Sequence, residues 1–374
     1  MNSRENCLAI LRYEPYEKMP VVSFGYWAET VDKWADEGHI TRDQAEGYKR
    51  HGDNSRADRE IMQLLGFDFN WNSCIGAHVM PDPPFAREVL ETKPDGSEVI
   101  RDEHGLICLV KPGVVSIPAE IGTSLTDRCA WEELYLPKFQ MHPGRVPFEA
   151  LRALPQPQDR SIPVGLHIGS LIGHMRNILG VESLSYLYAD DEDLYAEIVD
   201  TMCGLCYDCA KAALDTGVQF DYAHYWEDIC YKNGPLVSPD AFDELVGPWY
   251  RKISDLLNSY GVDIISLDCD GMIDRLLPIW LKNGVNTMFP IEVGTWDASI
   301  APWREQYGRE LRGVGGMNKN VFARDRAAVD KEVERLKSLI ALGGYIPCPD
   351  HRIAPDAEFD LVRYYCRQMQ LLVR

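Results

Sequence analysis

Residues 220–267 read FDYAHYWEDICYKNGPLVSPDAFDELVGPWYRKISDLLNSYGVDIISL. The run 220–226 is apolar and β-prone, which suits a buried strand. Ser238 followed by Pro239 is a helix-start signal, because the hydroxyl caps the first turn and proline is tolerated at its first position. Residues 240–260 then carry a helical segment, and 262–267 return to a β-rich apolar run. Strand, capped helix, strand is the repeating unit of a parallel sheet. The same kind of run recurs at 20–24, 67–71, 162–168, 287–291, 311–315 and 344–347, eight in all. A helix over 327–342 stops at Gly343-Gly344, a good C-terminal signal. Eight alternations predict an α/β chain folded as a (β/α)8 barrel, one domain over residues 1–374.

One segment departs from that rhythm. Residues 88–110 hold two β-rich arms around Pro94-Asp95-Gly96, which predicts an inserted β-hairpin on one rim. The proline-rich stretches 80–84 and 154–157 are too short to uncouple two domains and read as loops.

Composition narrows the function classes. The 374 residues are 45% hydrophobic and 26% charged, ordinary values for a globular protein. A net charge of −20 repels polyanions, so nucleic acid is excluded as an expected partner. No apolar window is long enough for a membrane span, and no basic, then apolar, leader opens the chain. A cytoplasmic location is expected, and a homodimer is allowed. The 11 cysteines are odd in number and scattered, which argues for reduced thiols. Cys203, Cys206 and Cys209 imitate part of an iron–sulfur run. They lack the remaining ligand, and their spacing puts them near one face of a helix, so core packing is expected.

Barrel enzymes carry their reactive groups at the C-terminal ends of the strands. Four such ends stand out. The fourth run carries Tyr222, His224 and Trp226 and is followed by Glu227 and Asp228; Glu227, directly behind the last bulky strand residue, is the expected ligand and catalytic group. After the fifth come Asp268 and Asp270, two acids at i and i+2, then Gly271. Extended chain points such a pair the same way, and like charges side by side call for a cation or a shared proton. After the last run come Cys348, His351 and Arg352 in a proline-bounded loop. The third run carries His167 and leads to His174 and Arg176 in a loop rich in small residues. Each residue alone is as easily a helix cap or a satisfied core group. Together, Glu227, Asp268, Asp270 and His351 make a plausible divalent-cation set, with Cys348 as the alternative ligand, and Glu227, Asp268 and His351 are the expected catalytic groups.

At these same positions the chain resembles the uroporphyrinogen decarboxylase superfamily. The motifs are residues 234–242 with Pro248 ahead of a long helix, Gly284-Val285-Asn286 before Pro290-Ile291-Glu292, and the turn Gly315-Gly316-Met317-Asn318. The superfamily includes zinc methyltransferases that pass methyl groups between a corrinoid protein and a small substrate. Where their ligands fall in a His-x-Cys-Gly motif, this chain has Asp268-x-Asp270-Gly271. At their late Gly-Gly motif, Gly343-Gly344-Tyr345-Ile346-Pro347-Cys348-Pro349-Asp350-His351 aligns with His351 at the ligand position.

The resemblance therefore implies a harder ligand set, suited to an oxygen leaving group rather than a thiol. It implies zinc or another divalent cation, cobalamin carried by a partner corrinoid protein, and a small methylated substrate such as a methoxylated aromatic. His167, His174, Arg176, Tyr222, His224, Trp226 and Arg352 are the expected substrate-binding residues. Porphyrinogen decarboxylases keep an arginine-rich segment near the N-terminus; residues 20–30 here contain no arginine. Decarboxylation of a porphyrinogen-like or smaller acid is the alternative enzymatic reading, and a metal-free binding barrel the non-enzymatic one.

Overall fold

The structure, a computed structural model, describes residues 1–112 and 118–372. Its strands in chain order are β1 (Val22–Ser23), β2 (Phe69–Asn70), β3 (Cys74–Gly76), β4 (Glu88–Thr92), β5 (Glu98–Arg101), β6 (Leu106–Val110), β7 (Ala119–Thr123), β8 (Gly165–Gly169), β9 (Tyr222–Trp226), β10 (Cys230–Tyr231), β11 (Gly234–Pro235), β12 (Ile265–Asp268), β13 (Thr287–Phe289), β14 (Arg312–Met317) and β15 (Tyr345–Pro349).

A seven-stranded sheet runs in the order β15-β14-β13-β12-β9-β8-β3, and its pairings are parallel throughout. β1 pairs in parallel with β2, which feeds β3. Taking β2 and β3 as two arms of one position, the expected 67–71 strand continues three residues later and the wall has eight positions. First and last meet through a parallel bridge between Tyr26 and Ile353, where the Trp27 amide donates to the Ile353 carbonyl at 3.2 Å and the Ile353 amide to the Gly25 carbonyl at 3.0 Å. The architecture is a TIM barrel of the α/β class.

Helices cover the outside. The expected 240–260 helix starts at Ser238, whose hydroxyl accepts the Ala241 amide, passes through a wider π turn at Phe242–Val246 and continues as Gly247–Ser259. The helix over 327–342 is Arg326–Ile340, capped by Asp325. Glu192–Leu214 buries Cys203, Cys206 and Cys209 as free thiols, the first two directed at the Leu171 and Ser170 carbonyls. These cysteines pack in the core, as their spacing predicts. All 11 cysteines are free. Among the described residues no helix is long and apolar enough to cross a membrane.

The insertion is larger than the hairpin expected over 88–110. β4, β5, β6 and β7 form a four-stranded antiparallel sheet. The turn at Pro94-Asp95-Gly96 is present, with Gly96 at φ 82 and the Ser97 amide donating to Asp95. A two-stranded ribbon is marginal alone, and the added strands enclose a small core of Ile100, Leu106 and Cys108. The Thr123 hydroxyl donates to the Ile178 carbonyl at 2.6 Å and fastens the sheet to the helix that follows β8. β10 and β11 make a short antiparallel pair after β9.

Close approach of the wall demands glycine at one position above all. Gly315 in β14 has φ +131, and a Cβ there would lie 1.7 Å from the Pro290 carbonyl oxygen. Gly315→Ala is expected to destabilise the fold by about 3 kcal/mol or more, since both backbone strain and a rigid backbone neighbour oppose it. Urea unfolding checks this; a variant within about 0.5 kcal/mol of wild type would contradict it.

Candidate active site at the barrel mouth

Side chains on a strand alternate, and the two neighbouring strands that matter most are in fixed register. His224 lies opposite Ser266, and Trp226 opposite Asp268. Continuing by twos past each strand end leads to Asp228 on one side and Asp270 on the other. Asp228, Asp268 and Asp270 each offer a carboxylate oxygen, and the three oxygens lie within 4.8 Å of one another. His351, at the end of β15, places Nε2 3.0 Å from Asp270 Oδ2. All four residues line a cavity of about 380 Å³, walled also by Phe24, Trp27, Cys74, His167, His224 and Trp226. The Trp27 ring stacks on His351 with centroids 5.5 Å apart.

The acid cluster is held by its backbone. Asp228 has φ 44, a strained conformation for a non-glycine residue. Arg176 donates to the Asp228 carbonyl, and the Asp270 amide donates to Asp228 Oδ1 at 3.2 Å. Gly271 turns at φ +82 where a Cβ would meet the Cys230 carbonyl at 2.6 Å. Its amide donates to Glu292 at 2.6 Å, and Glu292 is held in turn by the Thr295 hydroxyl. Burial, then the charges of Asp228 and Asp270, pushes Asp268 well above the usual carboxylate range. Asp228 is raised by burial and by Asp270.

Several expected residues take other roles. Glu227 does not line the cavity. It points to the opposite side of β9, fully buried, and accepts from five donors: Ser170 Oγ at 2.8 Å, the amides of Leu171, Ile172 and Gly173 at 2.8, 3.1 and 2.9 Å, and the Tyr250 hydroxyl. A carboxylate saturated in this way at the start of the Gly173–Leu179 helix caps it and is no metal ligand. Strand alternation was the signal that would have chosen Asp228 instead.

Tyr222 is also turned away: its hydroxyl donates to the Trp71 carbonyl and its ring stacks on Trp71 at 4.4 Å. His174 lies behind Trp226, with ring centroids 5.9 Å apart, and Arg176 lies over the same indole at 5.4 Å. Both support the wall and do not line the cavity. Arg352 lines it, but its guanidinium is committed to Asp53 at 2.6 and 3.1 Å and to the Tyr48 hydroxyl at 3.1 Å. Cys348 is buried beside the site; burial pushes its thiol well up, and it is not part of the carboxylate group.

The residues fit a divalent cation. Three carboxylates in one place repel one another, and Asp270 Oδ1 is buried with no partner among the described residues. A cation relieves both costs. An all-oxygen triad with one imidazole alongside is hard in character and is compatible with zinc, manganese, iron or magnesium.

The family described as "Uroporphyrinogen decarboxylase (URO-D)" matches residues 122–370. Among solved structures, a methyltransferase from Methanosarcina mazei is 16% identical, with coverage of 99% of this chain and 98% of that one and a TM-score of 0.59. A B12-independent methionine synthase from Shewanella sp. W3-18-1, in complex with selenomethionine, is 10% identical over 94% and 96% of the two chains, with a TM-score of 0.48. The first likeness is one of fold; the second is too distant to add to it. No curated protein matches by sequence.

Two outcomes follow. Glu227→Gln turns an amide N–H toward a ring of donors, so a loss of roughly 2–4 kcal/mol in urea unfolding is expected, with divalent-ion content of the folded protein unchanged. Ion loss at unchanged stability would restore Glu227 as a ligand. The second concerns pH. Asp58, which does not line the cavity and is raised by burial to about 6, acts in the same sense as Asp228 and Asp268. Each folded-state value lies above the unfolded one, so these three carboxyls hold extra protons in the fold, and the stability they contribute is lost as pH rises, through about 6 for Asp58 and Asp228 and higher for Asp268. Burial lowers His167, His174 and His224, which act in the opposite sense below about pH 6.5. In chelator the melting temperature is therefore expected to fall above that range, between about pH 6.5 and about pH 8.5, and a divalent ion added at the upper end restores much of it. A melting temperature that rises over that interval in chelator would contradict the assignment.

Proposed function

The chain belongs to the uroporphyrinogen decarboxylase (URO-D) family, and from that premise we propose that it is a metal-dependent methyltransferase. It moves a methyl group from a small methylated donor, of the methoxylated aromatic type, to a corrinoid protein whose cobalamin is the acceptor. The observation that carries this reading is the convergence of Asp228, Asp268 and Asp270 within 4.8 Å, with His351 bonded to Asp270, at the C-terminal ends of the strands.

Asp228, Asp268, Asp270 and His351 would hold the ion, zinc or another divalent cation. Bound there, it supplies Lewis acidity toward an ether oxygen that must leave as phenolate. The chain's own side chains do the rest. Phe24, Trp27 and Trp226 give the slot an apolar, aromatic wall that orients a ring and displaces water. Arg176 and the Asp270 amide keep Asp228 in its strained conformation, so the carboxylates need no rearrangement. Trp27, stacked on His351, fixes that imidazole's plane.

The acidic lining speaks against the decarboxylase alternative. Arg352 is the one arginine that lines the cavity among the described residues, and it is already paired with Asp53. A substrate with many carboxylates finds no free cation there.

Incubation with reduced corrinoid protein and a methoxylated aromatic is expected to give methylated corrinoid and the free phenol, without carbon dioxide. Asp270→Ala and His351→Ala should each weaken divalent-ion binding, by roughly 100-fold, while Cys348→Ser leaves it intact. No methyl transfer across a broad donor panel would overturn the reaction. Full ion occupancy in both Asp270→Ala and His351→Ala would overturn the ligand assignment.

A further inference from the structure

Two histidines in the cavity have no part in the reading above, and their neighbours fix where each carries its proton. The Gly169 amide donates to His167 Nδ1 at 2.8 Å. A peptide N–H can only donate, so Nδ1 is bare and the ring proton is on Nε2. His224 Nδ1 lies 3.1 Å from Ser266 Oγ, which also receives the Trp71 indole N–H at 3.1 Å. Ser266 is fully buried, and no other acceptor for its hydroxyl is found among the described residues. Its proton therefore goes to His224 Nδ1, and His224 too is protonated on Nε2.

Both rings line the cavity, 6.2 Å apart and near perpendicular. Among the described residues no protein acceptor takes either Nε2–H, and neither nitrogen is sealed from the cavity. Burial draws the two imidazoles down to about 4 and about 3, so both stay uncharged near neutral pH.

Resting on the methyl-donor reading of this cavity, we infer that His167 and His224 form a pair of uncharged Nε2–H donors. The pair selects methyl donors that carry a second, uncharged acceptor oxygen away from the methyl group. Charge decides between an uncharged oxygen and a carboxylate. Arg352 and Asp53 cancel, and three carboxylates outweigh one divalent ion. The lining keeps a net negative charge, and a substrate carboxylate would add to it. A ring carbonyl, hydroxyl or second ether oxygen accepts both N–H groups without that cost.

The test needs no methyl acceptor. Long-range proton–nitrogen spectra of histidine-labelled protein are expected to show bare Nδ1 and protonated Nε2 for both residues. Calorimetry with para-methoxyacetophenone, anisole and para-methoxybenzoate should rank the ketone about tenfold tighter than anisole, with the benzoate no tighter than the ketone. His167→Phe and His224→Phe should erase the ketone's advantage, and His224→Gln, which keeps an N–H, should recover part of it. The inference is overturned by a protonated Nδ1 on either ring, by absent ketone binding, by equal affinity for ketone and anisole, by tighter benzoate, or by an advantage that survives both Phe variants. Should those variants fail to fold, the wild-type spectra and ligand order decide. A protein that shows the histidine-dependent ranking yet transfers no methyl group would remove the reaction and leave this inference standing.

Discussion

The parallel register of β9 against β12 is the constraint on which the site depends. It sets Trp226 beside Asp268, and the alternation of extended chain then carries Asp228 and Asp270 into the same space. A slip of one residue would turn all of these outward and bring Glu227 and Cys269 in. The register is secured from behind. Tyr225 and Glu227 face the helices, where Glu227 satisfies the first amides of the helix after β8 and Tyr225 packs edge-on against Tyr250. One face of β9 is therefore structural and the other chemical, and the structural face fixes which residues the chemical face presents.

The electrostatics follow from that geometry. Three carboxylates this close are costly in a protein interior, and the fold offsets little of the cost with fixed cations. Arg352, which lines the cavity, is held by Asp53 and Tyr48, and Arg176 donates to a carbonyl. The neutral histidines carry no compensating charge. What remains is a cavity whose net charge calls for an exchangeable cation. If the proposed function holds, such a site would depend on a bound ion for stability as well as for chemistry.

Much of this was legible in the residues themselves. The strand–helix alternation, the Ser238-Pro239 cap and the Gly343-Gly344 stop lie where the pattern put them, because local capping chemistry does not depend on distant contacts. Asp268 and Asp270 stood out as an i, i+2 pair for the same reason. Proximity to the last bulky residue favours Glu227, whereas the two-residue period of the strand points to Asp228. For Tyr222, His174 and Arg176 chain position is the one guide in the sequence, and no local signal separates a side chain that lines a cavity from one that stacks behind it. The full extent of the rim sheet was hidden because β7 has weak strand character and is held by a contact 55 residues away, from Thr123 to Ile178.

The seam between Tyr26 and Ile353 has a consequence for assembly. Phe24 and Trp27 come from the beginning of the chain, while His351 comes from its far end, and the Thr30 hydroxyl reaches the Ile353 carbonyl across 323 residues. Contacts so distant in sequence form late in folding, since loop closure must be paid for before they contribute. During synthesis the aspartates can gather while one side of their chamber is still missing. Completion of the barrel is thus also the moment at which the chamber closes, so a half-made chain holds its aspartates without a finished pocket around them.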